Sequence, residues 1–98
     1  MYEVVVTKRA AAQIERAAAW WEQNRRSAPG AIADDFEQAK TLLAFEPGIG
    51  STSATQRYPR LRRFYLERVC YHIYFEVRDA TVVVLAFWHE SRGRGPSP

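Results

Sequence analysis

Val82 to Trp88 is a run of seven apolar residues, the longest in the chain. Read as a strand, it is apolar on both faces, which is the pattern of a central, buried strand rather than an edge. It is far too short to cross a membrane, which takes about 20 apolar residues. The rest of the chain therefore has to supply neighbours and cover for this strand.

The residues before it supply the neighbours. Leu61–Leu66, Val69–Val77 and Thr81–His89 read as three strands. The links Glu67–Arg68 and Arg78–Asp79–Ala80 are short enough for hairpins, so the three form an antiparallel meander. Neither link carries an Asn-Gly or Asp-Gly pair, so the registers stay open. In the middle strand Tyr71, Ile73, Phe75 and Val77 share one face, and His72, Tyr74 and Glu76 share the other. At the start of the chain, Tyr2–Thr7 is short and β-branched and reads as a first strand, with Tyr2, Val4 and Val6 on one face.

Two helices supply the cover. Lys8 to Asn24 is alanine-rich, and Thr7 stands where its hydroxyl can cap the first turn. Ile14, Ala17, Ala18 and Trp21 follow helical spacing and predict the buried stripe. Trp20 is turned about 100° away from Trp21, which places it at the rim or against a partner. RRSAPG breaks the helix. A second helix follows over residues 31–44, with Ile32, Phe36, Ala39 and Leu43 as its stripe. Asp34, Asp35 and Glu37 lie in its first turns, where negative charge suits the helix dipole. PGIGSTSATQ (residues 47–56) then reads as a polar loop, either a plain connector or a flap over a site.

The order is β-α-α-β-β-β, an α+β fold. A helical hairpin covers one face of a small, mainly antiparallel sheet, and the other face is left partly open. Ninety-eight residues suffice for one core. The expected organisation is a single domain over 1–92 and a disordered tail over 93–98. A separate cofactor-binding domain does not fit in this length. The segment MYEVVVTKR lacks the basic start of a secretion signal, so a cytoplasmic location is expected. Lone Cys70 can form neither an intrachain disulfide nor a cysteine zinc site, and two histidines do not make a metal centre. No metal and no cofactor is expected. Pro47–Gly48–Ile49–Gly50 follows a helix, the wrong context for a phosphate-binding loop.

The net charge of +3 is unevenly distributed. All eight basic side chains after Gln56 are arginines, against four acidic ones in the same stretch. Among them, Arg62 and Arg63 are strand neighbours and must point to opposite faces. His89, Glu90 and Arg92 lie where the last strand ends. If Arg62 or Arg63 shares the open face with Tyr74, and Trp88 and His89 stand at the strand's mouth, a basic, aromatic-lined surface results. Guanidinium groups fit phosphate, aromatic rings stack on bases or anchor protein partners, and a histidine can carry a proton. The total charge is too small to argue for nonspecific DNA binding.

The segments AAAWWEQNRRSAPGAIADDFEQA, RRFYLERVCYHIYFEV and VVVLAFWHESR, with the Pro47–Gly48 stop between helix and sheet, together resemble the RelE/ParE superfamily. These are toxins of bacterial type II toxin–antitoxin modules, of the plasmid-stabilisation type. The resemblance spans about residues 2–92. It implies the β-α-α-β-β-β fold and a cognate antitoxin laid over the helices and sheet, with Trp20, Arg16 and Phe64 as antitoxin contacts. RelE-like members cut mRNA on the ribosome, whereas ParE-like members poison DNA gyrase. This chain has only Lys8 and Lys40 as lysines and no tyrosine after the last strand. It is more similar to the ParE branch. Gyrase is the implied target, with Arg62, Arg63, Tyr74, Trp88, His89 and Arg92 as target contacts. The alternatives are a ribosome-dependent endoribonuclease, for which Arg62, Arg63, His89 and Arg92 would be the catalytic candidates, and a member that binds its antitoxin without being toxic.

Overall fold

The computed structural model of the chain describes residues 1–92, with the side chain of Arg92 excepted. The expected tail over 93–98 lies outside the described residues. The elements are β1 (Glu3–Val6), α1 (Lys8–Asn24), α2 (Ala31–Phe45), β2 (Ser51–Thr52), β3 (Arg62–Leu66), β4 (Tyr71–Arg78) and β5 (Thr81–His89), closed by a 3-10 turn at Glu90–Arg92. They form one five-stranded sheet in the order β1-β5-β4-β3-β2. The apolar run lies inside it, between β1 and β4. β1 pairs with β5 in parallel, Val4 opposite Val82 and Val6 opposite Val84. The other pairs are antiparallel.

Both helices cover the same face. Thr7 Oγ1 accepts the Ala10 N–H at 3.1 Å and starts α1. Ile32, Phe36, Ala39 and Leu43 of α2 are all buried, as their spacing predicts. The α1 stripe is rotated from the expected one: Ala10, Gln13, Ala17 and Trp21 are buried, and Ile14 and Ala18 flank them, partly buried. The cause is a gap in the sheet. β1 stops at Val6, opposite Val84, while β5 continues to His89. Beyond Val84 the edge of β5 has no strand partner among the described residues, and the Phe87 N–H donates to Gln13 Oε1 at 2.8 Å instead. A buried glutamine is favourable there because an unpaired buried N–H is costly.

The strands refine the meander. β4 keeps strict alternation, with Ile73 and Phe75 in the helix-side core. β5 carries one extra residue, Leu85, between the pairs Phe75–Val84 and Tyr74–Ala86. This bulge puts Leu85 and Ala86 together on the outer face, where they pack with Tyr74 and Leu61. The β3–β4 turn spans residues 67–70, longer than the expected link, with Cys70 at φ 60°.

The loop after α2 differs most from expectation. Ser51 and Thr52 form the short strand β2, opposite Arg63 and Arg62. Gly50 turns the chain into it at φ 83°. Arg62 Nη2 donates to the Gly48 and Gly50 carbonyls at 2.7 and 3.3 Å. This segment is a pinned edge of the sheet rather than a free flap. Residues 53–61 fold back through the Ser53 N–H to Leu61 carbonyl bond, and Tyr58 and Leu61 cover the outer face over Tyr74.

Candidate partner-binding surfaces

Two concave surfaces flank the sheet. The first is a groove of about 910 Å³ between α2 and β3. It exists because β2 is only two residues long and pairs with Arg62 and Arg63 alone, so β3 from Phe64 onward has no strand on that edge. Asp35, Gln38 and Leu42 of α2 form one wall, and Phe64, Tyr65 and Leu66 line the β3 side. Arg68 closes one end, with Nη2 at 2.6 Å and Nε at 3.2 Å from the Asp35 carboxylate.

A polar cluster sits on the outer side of this groove. Tyr65 Oη donates to Glu90 Oε2 at 2.9 Å, and the Tyr65 and His72 rings lie 4.8 Å apart. The Cys70 side chain and the Glu90 carboxylate, in that order, hold the Tyr65 proton well above the usual value of 10. His72 is shifted the other way: burial, then the nearby Arg63 guanidinium, lower it from 6.5. Its Nδ1 is buried with no hydrogen-bond partner. His72 therefore tends to stay neutral, and Tyr65 is a donor rather than a base.

The second surface is a cleft of about 510 Å³ between α1 and the end of β5. Arg16, Trp20 and Arg25 line the α1 side. Tyr71, Phe87, Trp88, His89 and Ser91 line the sheet side, and Gln13 and Ala17 line it as well. Trp20 is 48% exposed, while Trp21, one residue on, is 9% exposed. The two rings meet edge to face at 6.2 Å. The Arg25 guanidinium lies 5.2 Å from the Trp20 ring centroid, a cation–π contact. His89 packs edge-on against Tyr71. Its Nδ1 accepts the Ser91 N–H at 3.0 Å, which places the ring proton on Nε2.

The structure separates residues that the sequence reading grouped. Arg62 stands opposite Phe75 on the helix side and is bound to loop carbonyls, so it does not join the outer face. Arg63 stands opposite Tyr74 on the outer face and is exposed. Tyr74 corrects the expectation of an open aromatic groove: it is 5% exposed, covered by Tyr58 and Leu61, and cannot offer its ring to a partner. His89 lies opposite Tyr71, on the face away from Arg63. Arg16, Trp20 and His89 come together in the cleft, and Phe64 lines the groove. Trp88 borders the cleft but stands opposite His72 on the outer face, packed against Leu61 and Tyr74. The side chain of Arg92 lies outside the described residues. The sequence reading passed over Gln13 and Arg25 as contributors to the cleft, and Tyr65 and His72 to the groove. Gln13 was legible as the i−4 neighbour of Ala17 and i−8 neighbour of Trp21. Tyr65 was legible as the outer-face neighbour of Arg63 two residues on.

Among the described residues no group of three His, Cys, Asp or Glu side chains could hold a metal ion, and no helix is long and apolar enough to cross a membrane.

The helical hairpin lies on a five-stranded sheet whose first strand runs parallel to its neighbour. A solved chain of the chromosomal ParDE toxin–antitoxin system from P. aeruginosa superposes with a TM-score of 0.72, at 23% identity over 91% of this chain and 96% of that one. The family model of the ParE toxin of type II toxin–antitoxin systems, parDE, matches residues 4–93. This chain belongs to the ParE toxin family. No curated protein sequence matches it.

Proposed function

We propose that the chain arrests growth by binding DNA gyrase and that a cognate antitoxin neutralises it. The observation that carries this reading is the separation of Arg62, Arg63 and His89. Cleaving a phosphodiester needs cations and an acid–base pair converging on one phosphate. Arg62 is tied to the Gly48 and Gly50 carbonyls, Arg63 faces outward, and His89 faces the helices. What those residues leave for use is surface rather than a reaction centre: His89 at the cleft, and Arg63 and Trp88 on the outer face, as target contacts. Antitoxin contacts are Arg16 and Trp20 in the cleft and Phe64 in the groove. The unpaired edge of β3 is suited to an added extended segment, which draws its affinity from main-chain hydrogen bonds. Purified chain added to a gyrase supercoiling assay should stop supercoiling and accumulate cleaved DNA, and added antitoxin should restore it. Normal supercoiling at saturating toxin would reject gyrase as the target.

One cluster favours a second reading, ribosome-dependent mRNA cleavage. Arg63, Tyr65, His72 and Glu90 lie together on the outer side of the groove. On this reading, induction should cut mRNA within A-site codons, and Tyr65→Phe with His72→Gln should abolish both the cuts and the arrest. Unchanged transcript 5′ ends during arrest would dismiss it.

A further inference from the structure

The α1–β5 cleft has an unusual inventory of polar groups. Among the described residues its lining contains two guanidinium groups, Arg16 and Arg25, and no carboxylate. Two of the neutral acceptors that line it, Gln13 Oε1 and His89 Nδ1, are already used. Gln13 is 7% exposed, and its Oε1 is taken by the Phe87 N–H. What this buried side chain has left for the cleft it lines is its Nε2 amide, a donor. His89 Nδ1 is taken by the Ser91 N–H, so the ring's remaining nitrogen, Nε2, is also a donor. Four side chains thus offer N–H groups beside the rings of Trp20 and Tyr71, the latter stacked on buried Phe87. The α2–β3 groove, by contrast, contains Asp35, Glu67 and Glu90 among its lining.

We infer that this cleft is a carboxylate-recognition site, and that its occupant is an acidic segment of the cognate antitoxin. An Asp or Glu side chain, or a chain terminus, would take the Gln13, Arg16, Arg25 and His89 donors. A large apolar neighbour in the same segment would lie on Trp20. The volume fits one or two side chains, not a folded domain. This deepens the toxin–antitoxin reading proposed above and adds a regulatory consequence. His89, a target contact on the reading above, lines the same cleft as Arg16 and Trp20, so an antitoxin seated there denies it to the target. Neutralisation is by occupancy of a shared surface.

The test follows the full-length chain by NMR, reading the Gln13 side-chain amide and the Arg25 Nε–H. The probes are N-acetyl-L-phenylalanine, its amide N-acetyl-L-phenylalaninamide, and GMP. The carboxylate probe should shift both signals saturably, and the amide, alike in shape but uncharged, should shift neither. Equal shifts with both probes, or none with either, would overturn the site. Stronger binding of GMP than of the carboxylate would overturn the peptide assignment in favour of a nucleotide. In the second arm, Arg16→Glu with Arg25→Glu, checked for folding by circular dichroism, should weaken the toxin–antitoxin complex at least about tenfold and flatten its dependence on salt. Unchanged affinity and salt dependence would overturn the antitoxin as occupant. Neither arm involves gyrase, so a wrong gyrase assignment leaves both readouts intact.

Discussion

The groove beside β3 and the cleft beside β5 are built on opposite terms. The groove is made by an absence, the third and later residues that β2 lacks, and it is held open by a loop pinned through Arg62. Its charges are mixed, and several are already paired, Arg68 with Asp35 and Tyr65 with Glu90. The cleft is made by a helix standing where a strand stops, with Gln13 substituting for the missing β1 partner of Phe87. Among the described residues its charges are of one sign, and Trp20 stands half exposed at its rim. The difference teaches that a short strand can leave two kinds of edge in one sheet. One invites main-chain pairing, and the other is sealed by a side chain and becomes a site for side-chain recognition.

That contrast can be broken at its supports. The largest effect is expected at Trp21, which underlies the cleft: Trp21→Ala should cost about 3–5 kcal/mol, whereas exposed Trp20→Ala should change stability by no more than about 0.5 kcal/mol. Thermal melts of the two variants check this, and equal losses would mean that Trp20 is a packing residue. Next is the groove wall. A side chain at Gly50 would strike the Arg63 carbonyl and would have to adopt φ 83°. Gly50→Ala should therefore cost about 1–3 kcal/mol and raise amide exchange at Ser51 and Thr52 selectively. Gln13→Leu removes the partner of a buried N–H, for about 1–3 kcal/mol by denaturant unfolding, and should leave exchange in β2 untouched.

The smallest effect is a dependence on pH. The His72 pKa is lowered in the folded chain, so the unfolded chain binds the proton more readily. Its contribution is fully present above the unfolded value of 6.5 and is lost as pH falls below it toward the folded value. The melting temperature should drop on acidification through that window, and less steeply in His72→Gln. An identical slope in the two proteins would show that His72 is not the responsible group.

The fold was legible because its periodicities are strong. α2 could be read off Ile32, Phe36, Ala39 and Leu43, and β4 off the alternation of Tyr71–Val77. Three features were hidden. The bulge at Leu85 leaves no mark in a run where every residue is apolar. β2 is made of two small polar residues held by Gly50 and by an arginine ten residues further along the chain. The burial of Gln13 answers a vacancy in the sheet that depends on where β1 ends, a tertiary fact that helix periodicity does not encode. The surfaces were legible in part. Trp20 was expected at the rim because it is turned about 100° from Trp21, and it stands 48% exposed. The expectation for Tyr74 failed because residues 53–61, polar in sequence, carry Tyr58 and Leu61 back over the sheet. Arg62 and Arg63 were correctly placed on opposite faces, but only the structure shows that Arg62 is spent on the loop.

The central claim is that arrest comes from binding through the cleft and not from chemistry in the groove. Growth after induction without antitoxin tests it most directly, with His89→Ala compared against Tyr65→Phe/His72→Gln, each variant shown by thermal melt to be folded. The groove variant should still arrest growth and the cleft variant should not. Arrest by the cleft variant together with a harmless groove variant would contradict it.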